Sequence, residues 1–313
     1  MNTSLDSTFT KPPINGMTGE AEFEHLAPSV QQAATLGAHA RIEIIRGDWI
    51  VRHAAVEEGL NAARWLMEGP RRTRTMGLLI TGEVGAGKTT LAKLIERIYP
   101  VVEGANEVPV VMISLTGARH MRTVYGRILA ALNGPVKSSH HTSDREDVTL
   151  RLLRAVRCRG LIVDEVQDVL AGSRNEQRRT LDGLKFIMNA AKLPVIATGT
   201  PAATEAFRTD QHMEKRFYPI SLPTWSVGVE LASLLAGVSR IIPLRRPSDL
   251  TNAGIMEFVV KKGGGCLHDM MMLVRSAAIR AILSGNECIT LDDLRCARSF
   301  PEMKEIDRVR IDS

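Results

Sequence analysis

No apolar run in this chain approaches the length needed to cross a bilayer, and the N-terminal stretch MNTSLDSTFTKPPINGMTGE is polar with no signal-peptide core. A cytoplasmic protein with no membrane partner is therefore expected. Cysteine is scarce: Cys158, Cys266, Cys288 and Cys296 form no C-x-x-C pair, and reduced thiols in an intracellular chain are the simplest account. Charge of one sign is nearly absent as an excess. Forty Lys and Arg against 35 Asp and Glu leave a formal net charge of +5, compatible with an anionic partner but too small to establish one. Aromatics make up only 4% of the residues and do not accompany the basic stretches, which disfavours single-strand binding by base stacking. Internal repeats and low-complexity tracts are missing too. What remains is a chain of 313 residues, enough for roughly two domains with a full hydrophobic core.

The most informative stretch is LLITGEVGAGKTTLAKLIE, Leu78 to Glu96. It holds G-x-x-x-x-G-K-T between an apolar run, Leu78-Leu79-Ile80, and a helical pattern of Leu91, Leu94, Ile95 and Ile98. Strand, loop and helix in that order make a phosphate cradle. Gly82, Gly85 and Gly87 let successive backbone N–H groups point at one anion, and the helix starting near Lys88 adds its positive dipole end. Gly82, Glu83, Val84, Gly85, Ala86, Gly87, Lys88, Thr89 and Thr90 are thus the expected nucleotide-binding residues. Within them Lys88 reaches for the β/γ-phosphates of ATP and Thr89 for Mg²⁺.

Apolar runs at Gly77–Thr81, Val108–Ser114, Gly160–Asp164, Pro194–Thr198 and Tyr218–Leu222 are separated by helical segments such as Met121–Leu132 and Arg174–Ala191. Strands alternating with helices predict an α/β fold: a parallel five-stranded sheet in a three-layer αβα sandwich, with ligands at the carboxyl ends of the strands. Residues 1–28, rich in Ser, Thr, Pro and Gly, read as a flexible leader. Residues 29–222 read as the nucleotide-binding domain with an N-terminal helical extension, in which Ile50, Ala54, Leu60, Ala63 and Leu66 mark a helix against the sheet. Helical patterns near 227–240, 252–262, 267–284 and 290–299 make 223–313 a small all-helical domain.

In GLIVDEVQDV, Asp164 ends an apolar strand, where a carboxylate can hold Mg²⁺ through water, and Glu165 follows it as a base able to polarise an attacking water. A base beside the metal ligand favours hydrolysis over passive binding. The fourth run, LPVIATGTP, ends in Thr198 and Thr200; Thr198 is the preferred group for orienting that water, with Thr200 equally suited to capping the helix that begins near Pro201. Arg216, just before the fifth run, can project into a neighbouring subunit's site as an arginine finger, with Lys215 as the alternative cation. The expected catalytic set is Glu165, Lys88, Arg216 and Thr198.

Together these features resemble AAA+ ATPases. More narrowly, GLLITGEVGAGKTTL, the long segment LIVDEVQDVLAGSRNEQRRTLDGLKFIMNAAKLPVIATGTPAATEAFRTDQHMEKRFYPISLPTW, and GGGCLHDMMMLVRSAAIRAI resemble TniB, the transposition ATPase related to TnsC. The likeness covers about residues 35–295. It implies a helical lid domain at the C-terminus, ATP-dependent assembly of a homo-oligomer on target duplex DNA, and recruitment of a DDE transposase, with a TniQ-type target-selection protein as a further partner. One departure stands out. His268, in GGCLHDM, occupies the lid position where many AAA+ proteins carry a sensor arginine, so contact between the lid and the γ-phosphate is in question and would carry an imidazole's pH dependence.

For DNA, SLTGARHMRTVYGRI offers Thr116, Arg119 and Arg122 near a strand's carboxyl end, where a ring or spiral of subunits would present the loop repeatedly to a central duplex. A solvated basic face is the alternative, and the helix carrying Arg151, Arg154 and Arg157 is a second basic surface. A helicase loader or replication initiator on the same chassis is the competing function.

Overall fold

In the computed structural model, residues 23–71, 74–101, 104, 106–118, 120–135 and 141–297 are described. In chain order the elements are α1 (Pro28–Ala34), α2 (Ala38–Arg46), α3 (Ala54–Glu68), β1 (Gly77–Thr81), α4 (Lys88–Ile98), β2 (Val110–Ser114), α5 (Met121–Ala131), α6 (Thr142–Ala155), β3 (Gly160–Asp164), a 3₁₀ turn (Val166–Ala171), α7 (Arg174–Ala191), β4 (Val195–Gly199), α8 (Pro201–Thr209), α9 (Gln211–Glu214) and β5 (Phe217–Ser221). Then follow α10 (Val229–Ile241), α11 (Ala253–Gly263), α12 (Leu267–Leu283) and α13 (Leu291–Cys296). Two compact units result, one spanning 52–224 and the other formed by the chain up to Val51 together with the chain from Trp225 onward.

The first unit is built on the expected five-stranded parallel sheet, in the order β2-β3-β4-β1-β5. Strands β1, β3 and β4 are buried along their whole length, which is why they read as unbroken apolar runs rather than alternations. Period two divides their side chains between two cores. Leu78, Ile80, Ile162 and Ile196 face α3 and α4 with Leu60, Ala63, Leu91 and Ile95. Leu79, Val111, Val163 and Ala197 face α5, α6 and α7 with Val124, Ile128, Leu153, Leu184 and Ile187. Strand β5 closes one edge, where Pro219 withholds a donor and Tyr218 is exposed. Helix α7 starts on a capping box, Ser173 accepting from the Glu176 N–H while the Glu176 carboxylate accepts from the Ser173 N–H, and this fixes the start that the sequence predicted.

The second unit is all helical. Ile42 and Ile45 of α2 lie in one core with Trp225, Leu231, Leu235, Val259, Val274 and Ile279. Helices α1 and α2, which the sequence reading attached to the nucleotide-binding domain, thus pack with the C-terminal helices, and only α3 of the extension joins the sheet. The physical reason is their apolar face: α2 buries Arg41, Ile42 and Ile45, and the Arg41 guanidinium meets the Glu287 carboxylate with two hydrogen bonds of 2.6 Å. Residues 23–28, which the sequence reading placed in the leader, are held in the helical unit. Phe23 and Leu26 are buried against Ala34, and the Ala27 N–H donates to the Arg240 carbonyl at 2.8 Å; residues 1–22 lie outside the described residues.

Candidate functional site

At the carboxyl end of β1 the chain turns through Gly82 to Gly87. Gly85 (φ 78°) and Gly87 (φ 96°) adopt left-handed backbone that a side chain would strain, and α4 begins at the next residue. Lys88 is buried, and its ammonium donates to the carbonyls of Gly82 and Glu83, both at 2.9 Å. Ala86 is buried, while Glu83, Val84 and Thr90 are exposed. The loop is pinned to the sheet from behind, because the Gly82 N–H donates to the Gly199 carbonyl at 3.3 Å.

Topology brings the other half of the site alongside. β4 lies between β1 and β3, so the carboxyl ends of all three meet the loop. Asp164, at the end of β3, is buried and takes three donors: the Thr89 hydroxyl at 2.8 Å on Oδ2, the Glu165 N–H at 3.0 Å on Oδ1, and the Thr198 hydroxyl, also on Oδ1. Thr198 is fully buried. Thr89, Asp164 and Thr198, chosen from three separate motifs, are therefore in one hydrogen-bonded cluster. Glu165 follows in the left-handed region (φ 57°), an uncommon conformation for a residue with a long side chain, and it turns the chain sharply off the strand. Thr200 stands at the N-cap of α8 but makes no side-chain cap bond.

Other predicted residues lie elsewhere. Arg216 precedes β5, and its carbonyl accepts from the Gly77 N–H at 2.8 Å, so it stands at the amino end of β1 while the glycine loop leaves the carboxyl end. A five-residue strand separates the two, about 15 Å at the usual rise. Its guanidinium donates to the Asn189 side chain at 2.9 Å. Lys215 is exposed. His268 is exposed in the first turn of α12, in the helical unit. Thr116 is exposed beyond β2 and shares a 2.8 Å hydrogen bond with the Ser114 hydroxyl; Arg122 is exposed in the first turn of α5; Arg119 lies outside the described residues. The basic helix is shorter than read, since α6 ends at Ala155 and Arg157 sits in left-handed backbone, paired with Glu107 at 2.7 Å.

Sequence reasoning missed three residues that hold the site together. The Gln167 amide donates to the Glu165 carboxylate and accepts from the Thr200 N–H at 3.1 Å. Asp168 accepts from the Gly117 N–H at 2.7 Å. Arg127 donates to the carbonyls of Ser114 and Thr116, the latter at 2.6 Å. The letters VQDV carried a signal for the first two: a 3₁₀ turn repeats every third residue, so buried Val166 and Val169 force Gln167 and Asp168 to project outward. For Arg127 no local signal exists.

A family model described as "Bacterial TniB protein" matches residues 41–227. This chain belongs to the TniB family. The match spans the glycine loop, the Asp164-Glu165 strand end, Thr198 and Arg216, and runs into the helical unit at both ends. No match is found among curated protein sequences. Among solved structures the TniB-family chain is similar to the Aeropyrum pernix ORC2 protein in its ADPNP–ADP complexes, with a TM-score of 0.59 at 17% identity over 85% of this chain and 74% of that one. It is also similar to the Aeropyrum pernix ORC1 protein in complex with DNA (0.58, 14%, 86% and 70%). A third likeness is to Cdc6p from Pyrobaculum aerophilum (0.55, 14%, 81% and 69%). At these identities the likeness is one of fold, that of AAA+ ATPases, and it includes a helical C-terminal region that fits the lid.

Proposed function

We propose that this TniB-family chain is an ATPase that regulates DNA transposition: it binds ATP, assembles as a homo-oligomer on target duplex DNA, and recruits and activates a DDE transposase, with a TniQ-type protein directing target choice. The observation that carries the enzymatic half is the Thr89–Asp164–Thr198 cluster beside the glycine loop. The residues fit the nucleotide. Two left-handed glycines open a backbone nest, and the Lys88 ammonium rests on the loop's own carbonyls, from which it can turn to a phosphate. They also fit Mg²⁺, since the Thr89 hydroxyl and the Asp164 carboxylate make an all-oxygen pair suited to a hard cation that takes its remaining ligands from phosphate and water.

Each side chain then has a definite task. Thr89 and Asp164 would hold Mg²⁺, which when bound neutralises charge on the phosphate oxygens. Lys88 and the loop N–H groups orient the β/γ-phosphates and offset their charge. Glu165 takes the proton of the attacking water, and the Thr198 hydroxyl, one residue short of the end of β4, helps to orient that water. Arg216 is supplied to the neighbouring subunit's site rather than its own, a reading favoured by its separation from the loop along β1. Thr116, Arg119 and Arg122 contact DNA phosphates. The ORC1 relative's complex with DNA is compatible with this use of the fold.

Electron microscopy of the protein with duplex DNA and a non-hydrolysable ATP analogue tests the reading as a whole. Ordered assemblies around duplex, dependent on the analogue, are expected; a monomeric protein that leaves DNA bare in the presence of bound analogue would rule it out.

A further inference from the structure

The 3₁₀ turn after Glu165 stands in an unusual position in the hydrogen-bond network. Val166 and Val169 are 2% and 1% exposed and are packed into the core against the sheet, so the turn cannot rotate without opening that core. The Asp168 N–H donates to the Glu165 carbonyl at 3.1 Å, closing it onto the strand end. Between the two valines, Gln167 and Asp168 face outward and point to different loops. Gln167 donates to the Glu165 carboxylate and accepts from Thr200 N–H, at the start of α8. Room for its amide depends on Gly199, where an added Cβ would lie 2.8 Å from Gln167 Oε1 and 2.9 Å from the Ala203 Cβ. Asp168 accepts from Gly117 N–H in the β2–α5 loop, whose carbonyls at Ser114 and Thr116 are gripped by Arg127. The same loop is tied to the start of α7 by the His120–Glu176 contact at 3.3 Å.

We infer that Gln167 and Asp168 are positioning residues that join two functions through one turn: Gln167 sets the Glu165 carboxylate for water activation, and Asp168 sets the β2–α5 loop, so that duplex DNA on that loop changes the rate of ATP turnover. The inference rests on the reading of Glu165 as the base and of the β2–α5 loop as the DNA surface. Its physical basis is rigidity. A carboxylate on a left-handed residue has no regular strand or helix to hold it, and Gln167 supplies the one side-chain donor it receives among the described residues. A load on the loop bears on Gly117 and Asp168 and passes into a turn that Val166 and Val169 anchor in the core.

The two bonds of Gln167 can be separated by substitution. Gln167→Glu keeps an acceptor for the Thr200 N–H but removes the donor to Glu165; Gln167→Met removes both at similar size. Both variants are expected to lower kcat by about tenfold to a hundredfold with the KM for ATP little changed, since the base and not the phosphate cradle is disturbed. Rescue of kcat by Gln167→Glu relative to Gln167→Met would make the bond to Thr200 the important one and overturn the positioning of Glu165. For the second arm, turnover is measured with and without duplex DNA. Asp168→Ala is expected to bring the ratio to about one, and Asp168→Asn, whose side-chain carbonyl still accepts from Gly117, to keep it. A parental ratio already at one, or an Asp168→Ala protein with the parental ratio, overturns the coupling. Glu165→Gln run in parallel distinguishes the two levels: if it turns over normally the base assignment itself is wrong, whereas lost turnover there with normal turnover in Gln167→Met defeats only the inference made here.

Discussion

Lys88 opens α4 and Glu165 follows the end of β3, and the tasks proposed for them should be separable by substitution. Lys88→Ala removes a buried ammonium whose present partners are two loop carbonyls, leaving the strand and helix cores untouched, so the protein is expected to fold while losing ATP affinity and ATP-dependent DNA binding. Equal ATP affinity of variant and parent by titration would contradict the assignment. Glu165→Gln keeps shape and removes the proposed base. Binding of ATP is expected to persist, turnover to fall by about two to four orders of magnitude, and DNA-bound assemblies to last longer. Single-turnover kinetics and dissociation of labelled duplex check the two halves; assemblies that come apart at the parental rate despite lost turnover would mean that hydrolysis does not disassemble them.

At the scale of elements, α2 and the turn after α12 are joined by a pair that pH should report. Burial by itself would raise the Glu287 carboxyl, but the hydrogen bonds and charge of Arg41, aided by the Arg245 N–H and charge, hold it below the usual carboxylate range. A carboxylate depressed by folding contributes stability above its unfolded pKa, about 4.3, and loses it as pH falls through the lower folded value. Arg41→Met leaves Glu287 without its paired guanidinium, at an expected cost of about 3–5 kcal/mol at neutral pH. The gap between parent and variant should narrow as the solution is taken below about pH 4, measured by thermal or urea unfolding; a gap independent of pH would show that packing, not charge, holds α2 in place. The β2–α5 loop makes a different prediction. Replacing Arg119 and Arg122 with Ala should lower duplex affinity about equally for all sequences and flatten its salt dependence by roughly one unit of slope per lost phosphate contact per subunit. ATP binding should be spared. An unchanged slope and affinity would move the DNA surface to Arg151 and Arg154 on α6, of which Arg154 already donates to the Ala190 carbonyl at 2.8 Å.

At the scale of the whole molecule, the role proposed for Arg216 requires a second copy of the chain. Arg216 lies at the amino end of β1 and the glycine loop leaves its carboxyl end, so in the proposed head-to-tail assembly the arginine would serve the site of a second copy. Arg216→Ala is expected to impair turnover with little loss of ATP binding by monomers. Mixing it with Lys88→Ala subunits should restore part of the activity, at interfaces that pair an intact loop with an intact arginine. Absence of recovery in mixtures shown to co-assemble would exclude a finger acting between subunits.

Local chemistry made much of this protein legible in its sequence. The five strands and the span of α7 follow from apolar runs and a capping box, because strand burial on both faces and helix capping are written in neighbouring residues. The glycine loop and the Asp164-Glu165 strand end are equally local, since backbone curvature needs glycine where φ is positive and a buried strand tolerates a carboxylate only where it ends. What the sequence could not determine is which distant groups share a partner. That Thr89 and Thr198 meet on one carboxylate depends on β4 entering between β1 and β3. That Gln167 holds Glu165, that Arg127 grips the β2–α5 loop, and that α1 and α2 pack with helices some 200 residues further on, as the Arg41–Glu287 separation of 246 shows, were decided by tertiary packing alone. A hydrogen bond between residues far apart in the chain leaves no periodicity behind it; it exists only once the layers have closed and each buried polar group has had to find a partner.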